Sequence, residues 1–278
     1  MLGVRSTPAG VDRRGPKEAL VTWRDGPRNV VADGIGGTVR TTVETEPLSS
    51  VERHPGLRGR ASEALALADQ VRRLIRLTVS IAPSPQETAE LTAQLIAVAD
   101  RMEGHVPDVP LPRYAPAEEG RSGGSPVEDS MPFDLTVGRF NPLALPVRLT
   151  AEPPKVLGRG VFTVAYEGVP GCVHGGALAA TFDIVLSAAN TIAGTTGPTV
   201  RLSLRYRRPT LTNEETLFEG WVTRATDRRV FSEGRITQGG VVTVEAEGEF
   251  AIFERNDIDR MSAGRRAAFD DAVRRVTD

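Results

Sequence analysis

Gly171-Cys172-Val173-His174-Gly175-Gly176-Ala177-Leu178-Ala179-Ala180-Thr181-Phe182-Asp183, continued by Ile184 to Ala189, is the stretch that decides how this chain folds. The run behind the glycine pair is apolar on nearly every side, the mark of a buried helix rather than an amphipathic surface one. One carboxylate, Asp183, lies inside it. A bare carboxylate among apolar side chains carries a desolvation cost of several kcal/mol unless it is paired, protonated or used, which makes Asp183 a site candidate. Gly175 and Gly176 would place unpaired backbone N–H groups at the helix start, where the dipole favours negative charge and a developing oxyanion can be held. The plainer alternative is a loop-to-helix turn at the glycines and an Asp183 satisfied by a neighbouring chain.

His174 and Asp183 are nine residues apart. On one α-helix that is about 13 Å of rise and roughly opposite azimuth, so the two cannot meet within a chain. If both serve one reaction, Asp183 must reach the histidine turn of a second copy, and the spacing implies a dimer with shared sites.

Composition narrows the class. The chain has 278 residues, 40% hydrophobic and 25% charged, ordinary for a globular protein with a sizeable core. A formal net charge of −2 gives no basic face for nucleic acid or an acidic membrane. Lys17 and Lys155 are the only lysines, so arginine supplies almost all positive charge. The single cysteine, Cys172, excludes an intramolecular disulfide and lacks the companions of a structural zinc site, so no metal is expected and a reducing cytoplasm fits. No window approaches eighteen continuous apolar residues, and neither an export signal nor a membrane insertion is expected.

Along the chain, residues 1–60 are rich in Gly, Pro, Thr and Arg without sustained periodicity and read as an irregular or disordered segment. Gly34-Ile35-Gly36-Gly37 lacks the strand, spacing and helix of a nucleotide loop. Residues 61–103 read as a helical hairpin broken at Pro83-Ser84-Pro85, with Glu87 giving the second arm an acidic start. Its apolar stripe of Leu65, Val71, Leu74, Ile75, Leu91, Leu95 and Ile96 needs cover, expected from the two arms and the C-terminal domain. Residues 104–131 hold a Pro and Gly density that marks a linker. His54 and His105 lie in or beside irregular segments and read as solvated side chains. A strand is expected over 160–166, ahead of the central helix. After it, Val200, Leu202, Leu204 and Tyr206 alternate with Arg201, Ser203, Arg205 and Arg207, a sheet with one covered face. Strands over 216–226, 230–238 and 241–253 follow, the last two joined at Gln238-Gly239-Gly240. Residues 132–254 therefore form an α+β domain, an antiparallel sheet wrapped around one helix, and 255–278 a charged terminal helix or tail.

The order of strand, Pro170-Gly171-Cys172-Val173-His174-Gly175-Gly176 helix with Asp183, then Arg205-Tyr206-Arg207-Arg208-Pro209 and further strands resembles the hotdog-fold acyl-CoA thioesterases of the PaaI-like type. The likeness covers about residues 131–253. It implies that Asp183 acts as general base or nucleophile at a thioester carbonyl, across a dimer interface from the turn. It also implies that Gly175 and Gly176 hold the thioester oxygen through backbone N–H groups and that His174 shapes or polarises the site. Coenzyme A contacts then fall on Ser203, Arg205, Arg228 and Arg229, although Asp227-Arg228-Arg229 stands where relatives usually carry Gly-Arg-Lys. The expected partners are an acyl-CoA substrate and further copies of the chain, as a homodimer or tetramer, with no cofactor beyond the substrate's own coenzyme A.

Three other readings compete. A non-catalytic acyl-CoA-binding or regulatory hotdog module would bind without turnover, and the retained Asp183 speaks against it. A dehydratase or hydratase would pair an acid and a histidine at short spacing on one chain, unlike the nine-residue gap here. Cys172 as a nucleophile with His174 would need a third orienting group that the turn does not supply.

Overall fold

The computed structural model describes residues 51–52, 54–108, 111 and 131–253. Residues 1–50 of the irregular segment expected over 1–60, most of the linker and the charged tail lie outside the described residues. Six strands form one antiparallel sheet: β1 Val147–Glu152, β2 Lys155–Val161, β3 Thr199–Tyr206, β4 Glu215–Ala225, β5 Arg229–Gln238 and β6 Val241–Ala251. Their order is β1-β2-β4-β5-β6-β3, which leaves β1 and β3 at the edges. The hotdog fold read from the sequence is the fold observed. Helices α1 (Ala61–Thr78) and α2 (Pro85–Glu103) precede the sheet, and α3 (Gly175–Ile192) lies across it.

The seat of α3 is built from glycines on neighbouring strands. Gly220 and Gly234 are directly paired between β4 and β5, and Gly248 follows on β6. An added Cβ on Gly220 would lie 2.8 Å from a Val185 methyl, and one on Gly248 would lie 2.9 Å from a Leu186 methyl. On Gly234 it would lie 2.6 Å from the Glu219 carbonyl and 3.0 Å from the Phe182 ring. Phe182, Val185 and Leu186, all fully buried, occupy the space that side chains would otherwise fill. Phe182 meets Phe218 edge-on at 5.8 Å, and Phe218 in turn meets Phe162 at 6.1 Å, which carries the core towards β2. By length and composition α3 could cross a bilayer, but its buried side, with Leu178, Phe182, Val185, Leu186 and Ala189, belongs to the core against the sheet.

Where the sequence reading expects one strand over 160–166, the structure has two shorter features. β2 ends at Val161 and a 3-10 turn, Val164–Tyr166, follows; β1, paired with β2 from Val147↔Gly160 to Glu152↔Lys155, was not anticipated. Gly158 and Gly160 explain the misreading, since they give β2 little side-chain alternation to read. Gly239 and Gly240, with φ of 54° and 79°, make the expected hairpin turn between β5 and β6.

Two helices form at the expected places, but their arms do not pack on one another as a hairpin would. Ser84 and Glu87 make a reciprocal capping box at the start of α2. Helix α1 is tied down by the buried Ala68 and by Arg72, whose guanidinium donates to the carbonyls of Arg139 and Asn141. The expectation that both arms are covered fails: α2 buries no residue and leaves Leu91, Leu95, Ile96, Val98 and Met102 exposed, and Leu74 of α1 is exposed as well. His54 corrects a second expectation. It is fully buried, accepts the Gly56 N–H through Nδ1 and packs against the Phe133 ring, while His105 is exposed as read.

On the sheet face away from α3, Glu219 is bound by Arg235 and by Lys155 Nζ at 3.1 Å. The bond from Arg235, helped by Lys155, holds its carboxyl below the usual glutamate value. A folded-state value lowered in this way stabilises the protein above the unfolded glutamate value, about 4.3, and the contribution fades as pH falls through the folded one. Glu219→Gln is expected to lose about 0.5–1 kcal/mol at neutral pH, with the gap to wild type closing in acid, as read by denaturant unfolding. Gly234→Ala should cost more, about 1–3 kcal/mol, because a backbone carbonyl rather than a flexible side chain stands in the way.

Candidate functional site

The loop before α3 is fixed by bonds within its own stretch of chain. Glu167 Oε1 accepts the Gly171 N–H at 3.0 Å, Gly171 turns at φ 77°, and the His174 N–H reaches the Tyr166 carbonyl at 2.8 Å. His174 thereby becomes the N-cap of α3, with φ −60° and ψ 131°, and its Nδ1 accepts the Gly176 N–H at 3.0 Å. A neutral ring in that arrangement carries its proton on Nε2. Both glycines were expected to offer outward N–H groups. Gly176's is taken by His174, and Gly175's has no acceptor among the described groups.

Each glycine of the pair has a ring against it. A Cβ at Gly176 would sit 3.1 Å from His174 Nδ1, and a Cβ at Gly175 would sit 3.0 Å from the Tyr206 hydroxyl oxygen. That hydroxyl donates to the Gly175 carbonyl at 2.9 Å, and partial burial pushes its phenol above the usual tyrosine value.

Asp183 stands about 13 Å further along the same unbroken helix, so His174 and Asp183 of one chain remain apart, as their spacing requires. Asp183 is neither bare nor fully buried. It is half-buried on the face of α3 turned from the sheet, beside Ala179, Ala180, Ile184 and Ser187, and Thr199 Oγ1 donates to its Oδ1 at 2.5 Å. Its second oxygen has no partner among the described groups.

Thr199 is a site residue that the sequence reading missed. In β3, Leu202, Leu204 and Tyr206 face α3, and strict alternation would turn Thr199 to the wet side. A bulge between Thr199 and Arg201 breaks the register, so Thr199 opposes the buried Phe250 and reaches Asp183. Tyr206 was read only as an alternating strand residue, and its reach to Gly175 depends on where the strand ends relative to the helix.

The candidate coenzyme A contacts divide into two groups. Arg228 and Arg229 open β5, whose Val230 pairs with Phe250, the residue that Thr199 also opposes, so they share the Asp183 end of the sheet. Arg229 Nε donates to Glu249 Oε1 at 3.0 Å, whereas Arg228 is exposed. Ser203 and Arg205 lie on the sheet face away from α3 and are not brought to Asp183 within the chain. Cys172 is tied through its backbone to Val169 and Gly168, and its thiol makes no bond to His174. Among the described residues no group of His, Cys, Asp and Glu is arranged to hold a metal ion.

Residues 170–245, from the turn before α3 into β6, match the model of the thioesterase superfamily. That segment is similar to a thioesterase-superfamily domain. A solved thioesterase superfamily protein is 28% identical, overlapping 67% of this chain and 94% of its own, with a TM-score of 0.58. Smaller overlaps occur with zebrafish thioesterase superfamily member 2 (19% identical, 39% of this chain, 82% of that one, TM-score 0.37) and with the PaaI protein of the E. coli phenylacetic acid degradation operon (13%, 39%, 80%, 0.37). No curated protein matches the chain. The domain's turn and helix thus fall inside the matched segment, and α1 and α2 outside it.

Because His174 caps α3 with its own side chain, His174→Ala should cost about 1 kcal/mol of unfolding free energy, the usual loss of an N-cap, measured by denaturant titration. His174→Asn, which retains an acceptor at that position, should recover most of it.

Proposed function

We propose that the chain hydrolyses an acyl-CoA thioester to a free acid and coenzyme A. The observation that carries this reading is Asp183, held through one oxygen by Thr199 with the other free, on the open face of α3 in a segment similar to a thioesterase-superfamily domain. A carboxylate so held keeps a fixed direction and a free lone pair for a proton or a carbonyl carbon.

The reading places each site between two copies of the chain. One copy supplies the Gly175 N–H at the positive end of α3, aimed at the thioester oxygen, and the other supplies Asp183. Two features support a second copy: among the described residues the outer edge of β3 has no strand beside it, and Ala179, Ala180 and Ser187 leave room beside Asp183 on the open face of α3. Water, deprotonated by Asp183, attacks the carbonyl carbon; alternatively the carboxylate attacks first and water opens the anhydride. The oxyanion forms against Gly175, the C–S bond breaks, and the departing thiolate takes a proton to become coenzyme A. His174 acts by holding the turn in shape. Arg228, exposed at the Asp183 end of the sheet, is the first choice for a coenzyme A phosphate, with Arg229 beside it. Ser203 and Arg205 would touch coenzyme A only where it runs over the edge of β3. This chemistry uses no metal or further cofactor and suits a cytoplasmic enzyme.

A thiol-release assay over short, aromatic and long acyl-CoAs is expected to find at least one substrate. Asp183→Asn should lower its turnover by about 10²–10⁴-fold without unfolding the protein. Thr199→Val should lower it less, by about tenfold, since Asp183 remains but loses its hold. Shared sites have their own check. Two inactive variants, Asp183→Asn and a Gly175 variant whose turn is blocked, should regain activity when mixed under exchange conditions, because half of the sites in a mixed dimer then hold both intact groups. No recovery in proven heterodimers would place each site within one chain, and wild-type protein that releases no thiol over the whole panel would overturn the hydrolase reading.

A further inference from the structure

The peptide unit joining Gly175 to Gly176 is gripped at both ends. Its carbonyl accepts the Tyr206 hydroxyl at 2.9 Å and its N–H is accepted by His174 Nδ1 at 3.0 Å. The two grips come from different parts of the fold: His174 is the cap of α3, and Tyr206 ends β3, 31 residues further along. Two consecutive glycines are the residues least able to hold a fixed conformation unaided. A Cβ on either would crowd the ring that grips the peptide, at 3.0 Å from the Tyr206 oxygen and 3.1 Å from His174 Nδ1. The Gly175–Gly176 peptide therefore takes its stiffness from one grip within the turn and one from outside it.

Tyr206 is also poorly explained by packing. Its side chain is 54% exposed, and it ends an edge strand whose other helix-facing members, Leu202 and Leu204, pack against the core. A residue serving only as cover at that position would have no need of a hydroxyl, yet the hydroxyl is the part that touches α3. The bond falls one peptide unit from the Gly175 N–H, the amide left without a partner at the helix start.

We propose that Tyr206 is a positioning residue for the thioesterase reaction, acting through the Gly175–Gly176 peptide to hold the Gly175 N–H on the oxygen of the scissile carbonyl. This rests on the hydrolase reading above. With the carbonyl gripped, ψ of Gly175 is fixed and the first turn of α3 cannot tip. The free N–H is then directed before charge develops on the thioester oxygen, and no reorganisation is needed in the transition state. Hydrogen bonds in series through one peptide also polarise each other, so the Tyr206 and His174 grips reinforce one another.

The test uses the full chain and the best acyl-CoA from the thiol-release panel. Tyr206→Phe keeps the ring and removes only the grip; kcat should fall about tenfold with KM within about twofold of wild type, because ground-state binding does not depend on the directed N–H. Amide exchange at residues 175–176 should quicken while the middle of α3 is unchanged, a local effect that general loosening would not give. Gly175→Ala drives the hydroxyl away from the other side and should show a similar kcat loss. In the double variant the hydroxyl that the methyl strikes is gone, so its loss should be well short of the product of the two single losses. A Tyr206→Phe enzyme with wild-type kcat, equal losses in kcat and binding, or multiplicative losses in the double variant would overturn the inference while leaving the hydrolase reading intact. Wild-type protein inactive on every thioester would overturn both.

Discussion

The close approach of α3 to the sheet is the constraint from which the rest of the structure follows. Gly220, Gly234 and Gly248 remove side chains from three adjacent strands, and Phe182, Val185 and Leu186 come down into the space. Dispersion and burial grow steeply as the gap closes, so the helix gains most where the sheet offers nothing but backbone. That seat sets the rotation of α3 about its axis. Once Phe182 and Leu186 point into the glycine row, Asp183 and Ser187 are turned to the opposite side.

An apolar helix seated in this way has one face fully used and another only partly covered. The partly covered face of α3 is lined by Ala179, Ala180, Asp183, Ile184 and Ser187. A carboxylate there escapes the full desolvation cost that the apolar sequence around it implies, and a single hydroxyl, Thr199, suffices to orient it. The neighbouring side chains are small enough to let another surface come close to Asp183. Core packing and the candidate site are thus divided between two faces of one helix, in keeping with the positions of three glycines in strands that come later in the chain.

Much of this division was legible in the sequence. The all-round apolarity of 177–189 identified the buried helix, the alternation in 200–206 and 241–252 the half-covered sheet, and Asp183 stood out because its surroundings made it improbable. What was not legible depended on register. Thr199 reaches the site only because a bulge at Val200 reverses the face it would otherwise take, and nothing local distinguishes a bulged Thr-Val-Arg from a regular one. The Gly175 and Gly176 amides are alike in the sequence, and only the folded cap shows that His174 consumes one of them. β1 escaped notice because its partner β2 carries two glycines, and His54 was misread because the aromatic ring that buries it, Phe133, lies in a part of the chain far from it. Helix α2 has the opposite history: its pattern predicted a covered stripe, and within the described residues the stripe has no cover.

One strand bears on both halves of the candidate site. β3 begins at Thr199, which holds Asp183, and ends at Tyr206, which holds the Gly175 carbonyl at the start of the same helix. The two contacts lie at opposite ends of an eight-residue strand. Hence α3 is fixed against β3 in slide as well as in rotation, since a shift along the helix axis would stretch one contact while compressing the other. Among the described residues, the strand that sets this alignment is hydrogen-bonded on one side, to β6. Any strand added along its other edge would stiffen β3 and, through Thr199 and Tyr206, both functional ends of α3 at once. The placement of Asp183 and of the Gly175 carbonyl is therefore tied to one strand, β3, at the edge of the described sheet.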